Sequence, residues 1–433
     1  MHDAPSSGVR WIVLGLIVLA SFISYVLRTN MSIVGPTMVA DLGMSEVQLG
    51  MVLSAFAAGY AIFQLPGGVF GGRFGARFAV AAIAVAWGAL TIATGLVPGT
   101  GALPIGGVIA CLVAVRFLVG VTHAPIFPIT GGVTGDWFPV GKWGLPMGLS
   151  STGLTLGAAA TPPIVVWLME AYGWRESFFL TAPAGFALAA LWWWYMRDYP
   201  KDHPRVSAQE LALIEANRTP PGPRRPRAWS AVLRNRDILL LTLSYFCMNY
   251  VFYLFFNWFF YYLDEIKGFS SQQAGAFTSA QWIIGAVGAT LGGFGCDQLI
   301  ARFGLRRGPQ LLSVASLVLT AIFLAAGATA RDPYLAVALL ALSFGCTQLT
   351  EAAYWAAMIA VAGRDASEAG GVINTGANLA GVVGGLLVPL SAEYFGWVVA
   401  VSMGSAFALI GAVLWLFVRG DRPMLEDAAR PTR

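Results

Sequence analysis

The spacing of charges limits this chain more than any other feature. Uncharged runs cover residues 47–72, 78–115, 143–169, 238–263, 268–296, 308–330 and 394–418. About 18 consecutive uncharged, apolar residues are enough to cross a bilayer as a helix. A soluble domain carries about 25% charged residues. This chain carries 11%, against 57% hydrophobic ones, so its solvent is lipid. The run 78–115 is too long for one crossing, and PGTGALPIGG (98–107) divides it. Twelve spans result, near 11–36, 48–71, 78–97, 106–130, 145–169, 178–196, 238–263, 273–296, 309–329, 334–362, 368–391 and 396–418. The first has no small-residue cleavage site ahead of a soluble domain and reads as a retained helix, not a signal peptide.

Twelve crossings put both termini on one side. That side holds 21 Lys and Arg, and the opposite loops hold three (Arg175, Lys267, Arg331). The positive-inside rule then makes both termini cytoplasmic. The net charge of +4 is loop charge of this kind and implies no nucleic-acid partner. Cys111, Cys247, Cys296 and Cys346 lie in or beside spans, match no metal spacing and read as packed thiols.

The only long polar stretch is 197–236. In SAQELALIEANR, Ser207 stands three residues before Glu210, the spacing of a capping box on a short amphipathic helix. PPGPRRPR after it reads as extended linker. The expected organisation is a six-helix bundle over 1–196, a cytoplasmic linker over 197–236, and a second bundle with a cytoplasmic tail over 237–433. The halves look duplicated. A shift of 225 carries Tyr25-Val26 onto Tyr250-Val251, Gly68 onto Gly293 and Gly120 onto Gly345; a shift of 223 carries GLSSTGLTL (148–156) onto GVINTGANL (371–379). Repeats of this type place a substrate site near the membrane midplane. The fold class expected is an all-α integral membrane protein of twelve helices in two pseudo-repeat bundles.

The glycine-and-arginine loop GVFGGRFGARF, the twelve spans and the central loop resemble the major facilitator superfamily over the whole chain. YVLRTNMS, AFAAGYAIFQLPGG, RFLVGVTHAPIFP, NYVFYLFFNWF and GGVINTGANLAGVVGG more closely resemble the anion:cation symporter family, which includes bacterial hexuronate, galactonate, glucarate and aromatic-acid transporters and the mammalian sialin type. The resemblance implies a secondary transporter of a small organic anion in the cell inner (plasma) membrane. It would be coupled to H+ or Na+, surrounded by lipid, monomeric and without a cofactor. It also implies gating charges in the glycine-arginine loops. In the second copy Asp297 precedes Arg306 and Arg307. In the first, Gly72 stands where the family has aspartate, which leaves Arg73 and Arg77 and a weaker latch. Generic positive-inside charge is the alternative.

Four ionisable residues lie inside spans: Arg28, Arg116, His123 and Glu351. A charge near the bilayer centre costs about 3 kcal/mol on the most lenient scale, so each needs a reason. Arg116 lies about 15 Å into its span at 1.5 Å per residue, near mid-depth. His123 is seven residues on, along the same helix face. An arginine offers a planar fork of donors that suits a carboxylate. The resemblance places Arg28 and Arg116 at the substrate and coupling site. The alternative is that each bonds a carbonyl or Glu351. The family's usual acids, before the first arginine and in the fourth span, are here Leu27 and His123. Histidine, with a reference pKa near 6.5, is the available replacement; a neutral imidazole bonded to backbone is the alternative. Glu351 either counters an arginine or titrates.

Asn249, Tyr250, Tyr253 and Asn257 fall roughly on one helical face. The resemblance adds Tyr25, Tyr60, Thr152, Gln348, Trp355, Asn374 and Asn378 to the lining. Leu154 stands where sugar-acid members often carry glutamine; with Leu27 it suggests a less polar cavity. No phosphate loop or HExxH is present, and there are three histidines in all, so no enzyme reading competes. The remaining alternatives are an uncoupled facilitator, a drug or cation antiporter, which would need embedded acids in the first half, and a non-transporting sensor.

Overall fold

A computed structural model describes residues 7–139, 143–215 and 229–419, and among these every regular element is helical. Lipid offers the backbone no hydrogen bonds, so each crossing must satisfy its own. The first half contains α1 (Val9–Leu42), α2 (Glu46–Phe74), α3 (Ala76–Gly95), α4 (Ile105–His123), α5 (Ile126–Trp137), α6 (Gly144–Tyr172), α7 (Trp174–Thr181) and α8 (Pro183–Tyr195). The central loop carries α9 (Ala208–Glu215) and α10 (Trp229–Arg234). The second half contains α11 (Arg236–Tyr261), α12 (Ser271–Thr329), α13 (Pro333–Leu349), α14 (Glu351–Ala362), α15 (Ala366–Phe395) and α16 (Trp397–Trp415). Among the described residues, 11 helical stretches are long and apolar enough to cross a membrane. One of them, α12, turns at Gly304 with φ 81 and covers two of the expected spans, which gives twelve crossings. Only glycine takes that backbone without strain. The first-half loop uses Gly75 at φ 80 in the same way.

Contacts divide the chain into two units, Met1–Met31 with Ile62–Arg225 and Ser32–Ala61 with Pro226–Arg433. In the first, Ile17, Trp87, Trp137 and Trp192 are fully buried members of the apolar core. In the second, Leu241, Leu317, Tyr354 and Trp415 take that place. This unit also ties its 32–61 segment to later helices: the Tyr261 hydroxyl donates to Glu46 at 2.9 Å and Ser54 Oγ to the Val382 carbonyl at 2.9 Å.

The repeat read in the sequence recurs as contacts. A Cβ on Gly153 of α6 would meet the Val18 carbonyl of α1, and one on Gly376 of α15 would meet Thr242 Cγ2 of α11 at 2.6 Å. These pairs are offset by 223 and 224 residues, so the glycine of each TG motif lets the first helix of its half pack closely.

The central loop does more than its capping box suggests. Ser207 Oγ accepts from the Glu210 N–H at 3.2 Å, as expected. The Glu210 carboxylate does not return to Ser207. It accepts from the backbone N–H groups of Val9 and Arg10, both at 3.1 Å, and from the Ser7 hydroxyl. Glu210 is fully buried and caps α1, satisfying amides that would otherwise lack partners. Burial alone would raise its carboxyl, but these donors and the Arg10 charge outweigh it and hold it below the usual carboxylate value. His203, beside it, is buried against Tyr195 and Trp137; burial first, then Arg197, lowers it from the ordinary imidazole value. The linker PPGPRRPR, Lys142 and the tail from 420 lie outside the described residues.

Candidate functional site

Among the described residues three crossings are interrupted in mid-span: the sixth breaks before Pro183, between α7 and α8, and the two that carry embedded charge are the fourth, between α4 and α5, and the tenth, between α13 and α14. Pro125 explains the break in the fourth, because it has no N–H to give to the helical ladder. In the tenth, Thr350 turns its hydroxyl onto the Thr347 carbonyl at 2.7 Å, which competes with that ladder. Each of these two interruptions is braced by a glycine of the second crossing in its half. A Cβ on Gly67 would lie 2.6 Å from Pro125 Cγ, and one on Gly292 would strike the Leu349 carbonyl. Three of the four embedded ionisable residues are at or within three turns of these two points.

In the first unit, Tyr25, Arg28, Arg116 and His123 come together. All are at most 6% exposed. The Arg28 guanidinium lies 4.6 Å from the centroid of the Tyr25 ring. An Arg116 amino group donates to the Arg28 carbonyl at 3.3 Å. His123 stacks on Trp87 with centroids 4.5 Å apart, and its Nδ1 bonds the Val119 carbonyl at 2.8 Å. Trp87 is itself fixed by a 3.0 Å bond from Nε1 to the Thr122 carbonyl. Both arginines act electrostatically on the imidazole. The result is a concentration of positive charge on a rigid aromatic floor. Leu27 does not face it: that side chain is buried in the apolar core of the unit.

In the second unit, Glu351 opens α14. Its Oε1 accepts from the Tyr245 hydroxyl at 2.7 Å and from Trp355 Nε1 at 2.9 Å. About two turns along α11 from Tyr245, the Tyr253 hydroxyl donates to Asn378 Oδ1 at 2.9 Å, and the Asn378 amide donates to the Asn374 carbonyl at 2.8 Å. Asn249 spends its amide on the Tyr245 carbonyl at 2.9 Å.

Tyr250 stacks on Phe407 with centroids 3.9 Å apart, so its ring packs α11 against α16. Thr152 bonds the Gly148 carbonyl of its own helix. Tyr60 packs near Phe56, Gln348 lies beside Gly285, and Asn257 is 4% exposed. Among the loop charges, Asp297 is exposed and makes no ion pair with the described residues. Arg73 lies over Phe74. Arg77 is held instead by Asp198, which accepts its N–H at 2.8 Å, and by Trp193, against whose ring it lies at 4.4 Å.

Sequence reasoning missed Trp87 and Tyr245. Nothing in the sequence marks Trp87. Tyr245 is four residues before Asn249, one turn beyond the polar face already identified, and extending that face would have found it.

Helices of this number, broken at matched points that carry buried charge, are built for transport. Residues 17–346 match the profile of the Major Facilitator Superfamily. The chain is 32% identical to a probable sulfoacetate transporter of Cupriavidus necator (94% of each chain covered). It is 30% identical to a hexuronate transporter of Bacillus subtilis (91% of this chain, 90% of that one). It is 27% identical to a D-galactonate transporter of Escherichia coli (95% and 96%). The fold also matches a bacterial homologue of the human lysosomal transporter Spinster, with a TM-score of 0.76 at 15% identity over 96% of this chain and 97% of that one. With that profile spanning most of its crossings, this integral membrane chain belongs to the major facilitator superfamily.

Proposed function

We propose that the chain is a secondary active transporter of a small organic anion working by alternating access, with Arg28 and Arg116 receiving the anionic group. The observation that carries this reading is the pair of buried guanidiniums gathered with Tyr25 and His123 in one unit. Two buried guanidiniums gathered from two apolar spans are stabilised when an anion joins them. The relatives named for sulfoacetate, hexuronate and galactonate all carry small acids, which supports the same class here. Because Leu27 is buried in the core, the argument for a less polar substrate rests on Leu154 alone. A compact carboxylate or sulfonate fits the two forks best.

The halves 1–196 and 237–433 serve as the moving bodies in this reading, with both termini and the 197–236 linker cytoplasmic. A thermal-shift screen of the purified protein tests the substrate class: acids stabilise it and their amides do not. Equal stabilisation by an acid and its amide refutes the reading. An Asp202→Cys variant that labels with an impermeant thiol reagent from outside intact cells refutes the orientation.

A further inference from the structure

We propose that Glu351 is the group that takes up and releases the coupling proton, with Tyr245 and Trp355 positioning its carboxylate. The proposal deepens the anion-transport reading above and rests on it.

The geometry of the two oxygens carries the argument. Both donors converge on Oε1, Tyr245 from α11 at 2.7 Å and Trp355 from α14 itself at 2.9 Å. Among the described residues Oε2 receives no hydrogen bond, and Glu351 is only partly buried. One oxygen is pinned and the other is open, so a proton can add to an Oε2 lone pair without breaking either bond. The product is a neutral carboxylic acid still accepting at Oε1, and release returns the proton to water. As the first residue of α14, the carboxylate also faces the positive end of the half-helix, which stabilises it when the proton leaves.

Charge pairing separates this group from His123. The titratable side chains facing Glu351 are Tyr245 from α11 and Tyr354 from its own helix, whose hydroxyl is engaged with Ser244 Oγ at 2.7 Å. Among the described residues, the helices packed against α14 present no charged group to it. Protonating Glu351 removes a charge to which the described helices packed against α14 offer no cation. Protonating His123 adds a third positive charge to Arg28 and Arg116, on a ring that is 1% exposed. The tenth crossing, not the fourth, therefore has a group that can change charge between the two faces of the membrane.

Infrared difference spectroscopy of the reconstituted full chain, titrated with pH in the absence of any substrate, tests this directly. Wild type should show the carbonyl stretch of a protonated carboxyl appearing as pH falls. Glu351→Gln should abolish that band and His123→Gln should leave it. Tyr245→Phe, which removes a donor that favours the carboxylate, should move the midpoint to higher pH by about one unit, a tenfold change in proton affinity. A band that survives Glu351→Gln, or a midpoint unmoved in Tyr245→Phe, overturns the proposal. In vesicles, an inward proton gradient should drive accumulation of radiolabelled sulfoacetate, glucuronate or galactonate by wild type. Glu351→Gln should exchange the same acid without accumulating it; undiminished accumulation overturns the proposal. Wild type that carries none of the three contradicts the anion reading separately, and the infrared band then still decides the chemistry of Glu351.

Discussion

The fourth and tenth crossings share a backbone device and differ in almost everything attached to it. Each breaks in mid-span, at Pro125 and at Thr350, offset by 225 residues, and each break is braced by a glycine, Gly67 or Gly292, at the same offset. Yet the first carries Arg116 and His123, locked by backbone carbonyls and Trp87. The second carries a carboxylate with two neutral donors and one open oxygen. Duplication has preserved the packing that interrupts the helix, and the two copies have taken opposite charge. A rigid cationic cluster suits reception of an anion. An acid pinned at one oxygen and open at the other suits traffic in protons.

The comparison can be broken most severely at the arginines. Arg28→Ala and Arg116→Ala should each lower uptake about 100-fold, the effect of roughly 3 kcal/mol for a buried charge partner removed. His123→Gln should lower it far less; a loss as large as that of the arginines would move proton traffic back to the first half. Uptake assays alongside membrane-expression controls decide between these.

Next in size are the braces. Gly67→Val and Gly292→Val should each destabilise the protein by about 1–3 kcal/mol through overpacking, read as a lowered Tm in detergent. The neighbour at Gly292 is a backbone carbonyl, so Gly292→Ala should already be harmful. If Gly67→Val and Gly292→Val leave Tm unchanged, the breaks are not held by these contacts and the shared device is incidental. A smaller effect is expected for Trp87→Phe, which loses the bond to the Thr122 carbonyl: about 1 kcal/mol of stability, with uptake largely retained.

The least of the expected effects concerns the Glu210 cap of the first unit. Its carboxyl and the His203 imidazole are both lowered in the folded state. Each therefore contributes stability that is complete above its unfolded value and is lost as pH falls through its folded value. With unfolded values near 6.5 for histidine and 4.3 for glutamate, Tm should hold steady above about pH 7 and decline below it. Glu210→Gln should lower Tm at pH 7 by the equivalent of about 1 kcal/mol and remove the acid part of the slope. A flat profile from pH 7 to 4 in wild type would show that the cap contributes nothing.

The crossings were legible because lipid imposes one simple rule, about 18 or more apolar residues between charges. The break at Pro125 was not singled out, because prolines such as Pro36, Pro66 and Pro389 lie inside other helices without ending them. Nor was the break at Thr350, since threonine is common in helices and its hydroxyl reaches the Thr347 carbonyl only in that backbone. Arg28, Arg116, His123 and Glu351 stood out because charge is costly in hydrocarbon. Their partners did not, because aromatic residues such as Trp87 and Tyr245 are ordinary membrane packing in sequence and become informative only through geometry. Glu210 was half legible: spacing showed the cap on α9 but gave no sign of the longer reach to Val9 and Arg10.

The central claim is that the embedded arginines of the first half receive the anion while Glu351 serves the proton. Calorimetric titration of the best-binding acid of the screen into wild type, Arg28→Gln, Arg116→Gln and Glu351→Gln tests it most directly. The account predicts affinity weakened about 100-fold in both arginine variants and retained in Glu351→Gln. Wild-type affinity in both arginine variants would contradict it.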